Sequence, residues 1–248
     1  MRLFFTLFLA TGLSLTAGAQ QNYNSGWGWN TTKLEGNGDV VTQDRSVRDF
    51  RGVEVCCALR VELTAGSQYG VRVEAESNII DYVRTEVSGD RLEIGFKEKV
   101  SLRSTADIVI YVTMPTIDYV AASSSSKVVG KSSFKGEDLD VDVSSSGKVE
   151  LDFTGDYVRV DASSSGRCTL VGTGSRIKAN ASSGSSIRAS DFRTRRGDAA
   201  ASSGAGIVLY VTEELEADAS SGGSVKYRGN PGDVDSDRSS GGSVRSID

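Results

Sequence analysis

Histidine is absent from all 248 residues of this chain, which removes His-based triads, His general bases and His-containing zinc sites together. Cysteine is scarce: Cys56, Cys57 and Cys168 are the only three, too few for a disulfide framework. Two prolines stand against 28 glycines, a balance that suits many strands joined by tight corners. Lys and Arg number 28 against 33 Asp and Glu and are scattered along the chain. Without a concentrated basic footprint, nucleic acid is not expected as a partner. Apart from the N-terminus, no stretch approaches the roughly 20 apolar residues that a membrane span needs.

The N-terminus is the exception and reads as a processing signal. Residues 1–19 carry Arg2, an apolar run from Leu3 to Leu15 and the small-x-small pattern Ala17-Gly18-Ala19, as a cleaved secretory signal does. The chain is therefore expected to be exported, to the periplasm, the outer-membrane surface or the medium, with no transmembrane helix left after cleavage. Residues 20–44 are polar and Asn/Gly-rich, with Trp27 and Trp29 among them, and are expected to form a loosely ordered arm. The two Trp could stack on a sugar ring, although such aromatics more often pack on their own domain.

Strict alternation begins at Val53. Val53, Val55, Cys57, Leu59, Val61 and Leu63 share one parity, and period two over this length predicts a half-buried strand. That parity sends Cys57 inward and Cys56 outward, so the two thiols are expected to diverge as small apolar side chains. Similar runs at Val71–Ala75, Leu92–Phe96 and Ile108–Met114 are separated by turn residues, predicting an N-terminal antiparallel β-rich unit over 45–117.

From residue 118 to 248 a repeat takes over. The residues before each Ser-Ser are Ala122, Val143, Ala162, Ala181, Ala201, Ala219 and Arg238, at intervals of 21, 19, 19, 20, 18 and 19. Two places upstream stand Val120, Val141, Val160, Ala179, Ala199, Ala217 and Ser236; six places downstream stand Val128, Val149, Cys168, Ile187, Ile207, Val225 and Val244. A unit of about 19 residues cannot bury its own apolar side, so the pattern predicts a parallel β-solenoid with one repeat per coil, seven coils in all. At about 4.8 Å per coil the stack is about 34 Å long. A flexible Ser-Gly linker would have no reason to keep this register. Serine follows every anchor at two successive places; the second column, Ser124, Ser145, Ser164, Ser183, Ser203, Ser221 and Ser240, is expected to form a hydroxyl ladder up a tight corner. Gly147, Gly166, Gly184, Gly204 and Gly222 are expected to supply positive φ there. The polar last repeat reads as a terminal cap.

These features resemble a family of exported bacterial proteins named putative autotransporter adhesins with a head GIN domain, a domain of unknown function. The resemblance rests on RDFRGVEVCCALRVELTAGSQYGVRVEAESNIIDYVRTEVSGDRLEIGF (48–96) and IVIYVTMPTIDYVAASSSSKV (108–128). Within them an opening F-x-G-V-x-V strand, a V-x-A-x-x-N-I-I segment, a G-x-L-x-I-like strand and a Pro-ended strand leading into Ser/Gly coils follow in order. Cys56-Cys57 departs from the family's small residue after the first strand, and Ser-Ser-Gly from its Gly-Ser-Gly. The resemblance implies a cell-envelope β protein and brings no catalytic residues.

Chemistry is legible at one place. The residues before the anchors put Asp142, Asp161 and Asn180 on consecutive coils, about 4.8 Å apart, where carboxylates repel unless neutralised. A calcium ion could fill the stack; basic neighbours such as Arg159 and Lys178 could do the same, and a solvated face is the default. Serines repeated in every coil are building elements, and no His is present to activate them. No cofactor and no catalytic residue is expected. The leading expectation is a non-enzymatic, adhesin-like envelope or surface protein that presents a repetitive face to glycan or protein partners. A carbohydrate-active lyase or hydrolase on a β-helix is the alternative, and a structural module that self-associates through coil edges is the third.

Overall fold

The computed structural model describes residues 31–104 and 106–247, and all of its long elements are strands. The expected signal segment and both Trp lie outside the described residues. From Tyr119 onward the strands stack in parallel, and the sequence columns become physical columns. Val120 pairs with Val141, Val141 with Val160, Val160 with Ala179, Ala179 with Ala199, Ala199 with Ala217 and Ala217 with Ser236. The second column runs unbroken from Val128 through Val149, Cys168, Ile187, Ile207 and Val225 to Val244. Its first six members are buried. Alternation delivers both columns to the interior because successive side chains of a strand point to opposite faces.

The corners are the repeated device. In each of the seven, the N–H of the fourth residue donates to the C=O of the first: Ser126 to Ser123, Gly147 to Ser144, Gly166 to Ser163, Ser185 to Ser182, Ala205 to Ser202, Gly223 to Ser220 and Gly242 to Ser239, at 2.7–3.2 Å. Both central residues have positive φ. These are type I′ turns. Where the corner reads Ser-Ser-Gly-x, the left-handed pair is Ser183-Gly184, Ser203-Gly204, Ser221-Gly222 or Ser240-Gly241. Where an extra serine intervenes, the pair is Ser145-Ser146 or Ser164-Ser165. Gly147 and Gly166 therefore do not carry the positive φ expected of them. They stand one place later, where a Cβ would run into the carbonyl oxygen of Ala122 or Val143 on the preceding coil.

The parallel stack does not stop at residue 117. Gly52–Val55 pairs in parallel with Tyr119–Ala122, and Arg60–Ala65 with Lys127–Gly130. Arg91–Phe96 and Val109–Met114 stack in parallel on the far side of those two strands. Antiparallel pairing is confined to the strands that cover this end: Gly70–Glu76 lies between Val40–Arg45 and Val109–Met114, and Val83–Ser88 forms a hairpin with Arg91–Phe96. Two strands fall within the expected loose arm. Thr32–Glu35 pairs with Val100–Arg103, and Val40–Arg45 with Gly70–Glu76. The free backbone of a sheet edge recruits such polar segments through hydrogen bonds, a cause that leaves little hydrophobic signature.

Cys56 and Cys57 also depart from expectation. The strand ends at Val55, and Cys57 and Ala58 adopt φ of 70° and 58°. This is another corner, in register with the Ser corners: Ser123 N–H donates to Val55 O and Ala58 N–H to Ser124 O. Leu59, Val61 and Leu63 regain the interior beyond it, so alternation looked continuous across a bend. Cys57 faces solvent, and the two sulfurs converge in a disulfide. Cys168 is the buried column member the spacing predicts, and burial pushes its thiol up to about 12.

Across the coil from the corners, Phe134, Phe153 and Phe192 fill the interior. Gly172 pairs with Phe153 on one coil and Phe192 on the next, with φ of 118° and a Cβ position that collides with Phe153 O. Gly172→Ala should lose roughly 3 kcal/mol. Gly204→Ala, at φ of 72° with nothing within 4 Å of the new Cβ, should lose only the left-handed penalty of roughly 1–2 kcal/mol. Urea-unfolding midpoints of the two variants check this order.

Candidate functional site

Outward-facing residues flank each corner, and stacking turns them into rows. Asp142, Asp161, Asn180, Ala200 and Asp218 form one row, in register coil by coil. Ser144, Ser163, Ser182, Ser202 and Ser220 form the next, and the small anchors Ala162, Ala181 and Ala201 lie between as a floor. Together they line a shallow hollow of about 480 Å³ along the solenoid. The three residues singled out from sequence, Asp142, Asp161 and Asn180, are thus neighbours on consecutive coils.

Protein donors occupy the stack. Arg159 Nε donates to one Asp161 oxygen at 2.7 Å and Asn180 Nδ2 to the other at 2.8 Å. The Tyr119 hydroxyl donates to Asp142 at 2.9 Å. Of the two basic neighbours expected to neutralise the row, Arg159 does so, while Lys178 turns to Asp198 at 2.9 Å. The Asp161 carboxylate holds the Arg159 guanidinium in its charged form, and Asp198 does the same for Lys178, raising both pKa values. Asp140, one place out on the same coil as Asp142, is raised chiefly by desolvation, against the pull of Arg159 and with Asp142 and Asp161 adding to the rise. No group of three or more His, Cys, Asp or Glu suited to a metal ion occurs among the described residues. Asp142, Asp161 and Asn180 are hydrogen-bonding groups already engaged by protein partners.

The second serine column has a different part. Ser124, Ser145, Ser164, Ser183, Ser203, Ser221 and Ser240 are exposed and sit at φ between 47° and 52°. The ladder through them is made by the backbone: the C=O of Ser145, Ser164, Ser183, Ser203, Ser221 and Ser240 accepts the N–H of Ser125, Ser146, Ser165, Gly184, Gly204 and Gly222 on the coil before. Hydroxyl rungs occur two places later instead, where Ser126 donates to Val55 O at 3.0 Å and Ser185 to Ala162 O at 2.8 Å. Period two across the corner could not show this, because two left-handed residues reset the parity.

Tyr119 was not singled out from sequence, yet it anchors the head of the row. Its ring lies 3.6 Å under the Arg91 guanidinium, and its pKa is pushed up to about 12, first by burial and then by the bond to Asp142. A tyrosine whose folded pKa lies above its unfolded value of 10 stabilises the fold fully below pH 10 and loses that contribution as pH rises toward 12. The urea midpoint should accordingly fall between about pH 10 and 12, and Tyr119→Phe should flatten that fall. Equal slopes in both proteins would contradict it.

Comparison with known proteins agrees with this architecture. No curated protein matches the chain. Solved structures do: a putative adhesin from Bacteroides fragilis NCTC 9343 superposes with a TM-score of 0.81 at 18% identity, over 86% of this chain and 100% of that one. A putative lipid binding protein from Parabacteroides distasonis ATCC 8503 gives 0.71 at 20% identity, over 88% and 100%. A putative adhesin from Parabacteroides merdae ATCC 43184 gives 0.71 at 18% identity, with the same coverage. At these identities the likeness is one of fold. Sequence carries the assignment further, since residues 49–231 match a single family model. The chain belongs to the family described as "Putative auto-transporter adhesin, head GIN domain".

Proposed function

We propose that the protein is a non-enzymatic, exported cell-envelope or surface protein that acts as an adhesin and binds glycan through the hollow beside its Ser corners. The carrying observation is the pair of rows along that hollow, hydroxyls from Ser144 to Ser220 and the Asp142, Asp161 and Asn180 groups, over a floor of alanine. Hydrogen-bonding groups repeated at about 4.8 Å on a rigid sheet lose little freedom on binding, which favours a repetitive polar chain. Family membership and the fold shared with the B. fragilis and P. merdae proteins described as putative adhesins support the same reading. Among the described residues no helix is long and apolar enough to cross a membrane.

An enzyme would need a cleft with convergent acids on loops longer than their neighbours. The long strands Lys148–Ala162, Arg167–Ala181, Ser186–Ala201 and Gly206–Ala219 run from corner to corner without such loops, and both oxygens of Asp161 are engaged. The mature protein on a glycan array should bind at least one glycan equally with and without calcium, and Ser182→Tyr, which fills the hollow, should weaken that binding at least tenfold. Absence of binding in both conditions would overturn the glycan reading. Binding that requires calcium would overturn the role given to Arg159.

A further inference from the structure

Cys56 and Cys57 occupy a corner that serine builds in every later coil, and their disulfide joins adjacent residues. A structural disulfide stabilises by closing a loop in the unfolded chain. A bridge between neighbours closes only the smallest ring a disulfide can make, so the fold gains little from it by that route. The corner does not require the bridge either. Val55 O and Ala58 N–H make the same backbone bonds to Ser123 and Ser124 that the Ser corners make to one another. The pair is also accessible: Cys57 is exposed, Cys56 half-buried, and both line a hollow of about 820 Å³ with Arg84, Phe96 and Leu102. Cys56 Sγ rests over Gly95, 3.2 Å from the point where a Cβ would stand, and Arg84 Nη2 lies 4.0 Å from that point. Arg84 is itself paired with Glu93 at 2.8 Å.

We propose that Cys56–Cys57 is a thiol–disulfide exchange site whose substrate class is the dithiol reductant and whose product is a vicinal dithiol held on an intact corner. A thiolate of the reductant attacks Cys57 Sγ, the exposed sulfur. The Sγ–Sγ bond breaks, and Cys56 Sγ leaves with the electron pair into the hollow that it lines together with Arg84. It then takes a proton from water. The second reductant thiol attacks its own sulfur in the mixed disulfide, Cys57 Sγ leaves and is protonated, and the reductant departs as a disulfide. The site gains two electrons and two protons, and the reductant loses the same. Because the backbone ladder holds the corner, the exchange is local.

The test treats the folded mature protein with dithiothreitol, traps thiols with iodoacetamide and maps them by mass spectrometry. Cys56 and Cys57 should both be alkylated in native buffer, and buried Cys168 only in denaturant. The reduced protein should take up one equivalent of phenylarsine oxide, a trivalent arsenical that bridges two adjacent thiols; the oxidised protein should take up none. The variant C56S/C57S, which restores the Ser-Ser of the other corners, should keep the melting temperature within about 3 °C and lose arsenical uptake. Alkylation of the pair only in denaturant would overturn the proposal. So would a larger fall in melting temperature on reduction or in C56S/C57S, which would make the bridge structural.

Discussion

Everything in this protein hangs on the stacked type I′ corner. Each corner places two residues in the left-handed region, and at the Ser-Ser-Ser-Gly corners neither is glycine, at about 1–2 kcal/mol per residue. Three backbone hydrogen bonds offset this, one across the turn and one to each neighbouring coil along the two ladders, at about 1 kcal/mol apiece. The sums are of the same order, so a single corner is marginal and a stack of them is stable. Cooperation between coils, more than any one coil, holds the solenoid together.

The corner also decides what can be displayed. Register along the stack sets the first serine of each turn and the residue before each anchor in straight rows. Charges at that spacing repel unless paired: Arg159 neutralises Asp161, to which Asn180 also donates, and the Tyr119 hydroxyl donates to Asp142. The face they form is polar and regular along its length. Beside the Ser123 corner, the same geometry leaves Cys57 exposed and Cys56 half-buried, in a turn and not in the core.

The head of the stack is where regularity yields to covering. Gly70–Glu76 and Val40–Arg45 run antiparallel over an edge that parallel coils would leave open. Buried Glu76 fastens this region by accepting the Gly38 N–H at 2.8 Å and the Ser104 hydroxyl at 2.5 Å. A carboxylate buried at full depth survives only when its oxygens are satisfied, and here they tie together three segments distant in sequence.

The intervals between Ser-Ser pairs determined by themselves that this chain is a parallel solenoid, which coils follow one another, and that Val120 and Val128 head two buried columns. Periodicity suffices there because each coil meets only its neighbours, so sequence spacing and spatial register are the same quantity. Asp142, Asp161 and Asn180 were legible as a stack for that reason. What filled the stack was not, since Arg159 and Lys178 were equivalent candidates until side-chain reach sent one to Asp161 and the other to Asp198. Tertiary structure alone decided that the serine ladder runs through backbone carbonyls, that Gly52–Val55 joins the stack beside Tyr119–Ala122 and Arg60–Leu63 beside Lys127–Gly130, and that Cys56 and Cys57 sit in a turn. Two left-handed residues in a row return a strand to its original parity, and an alternating sequence cannot record that it has bent.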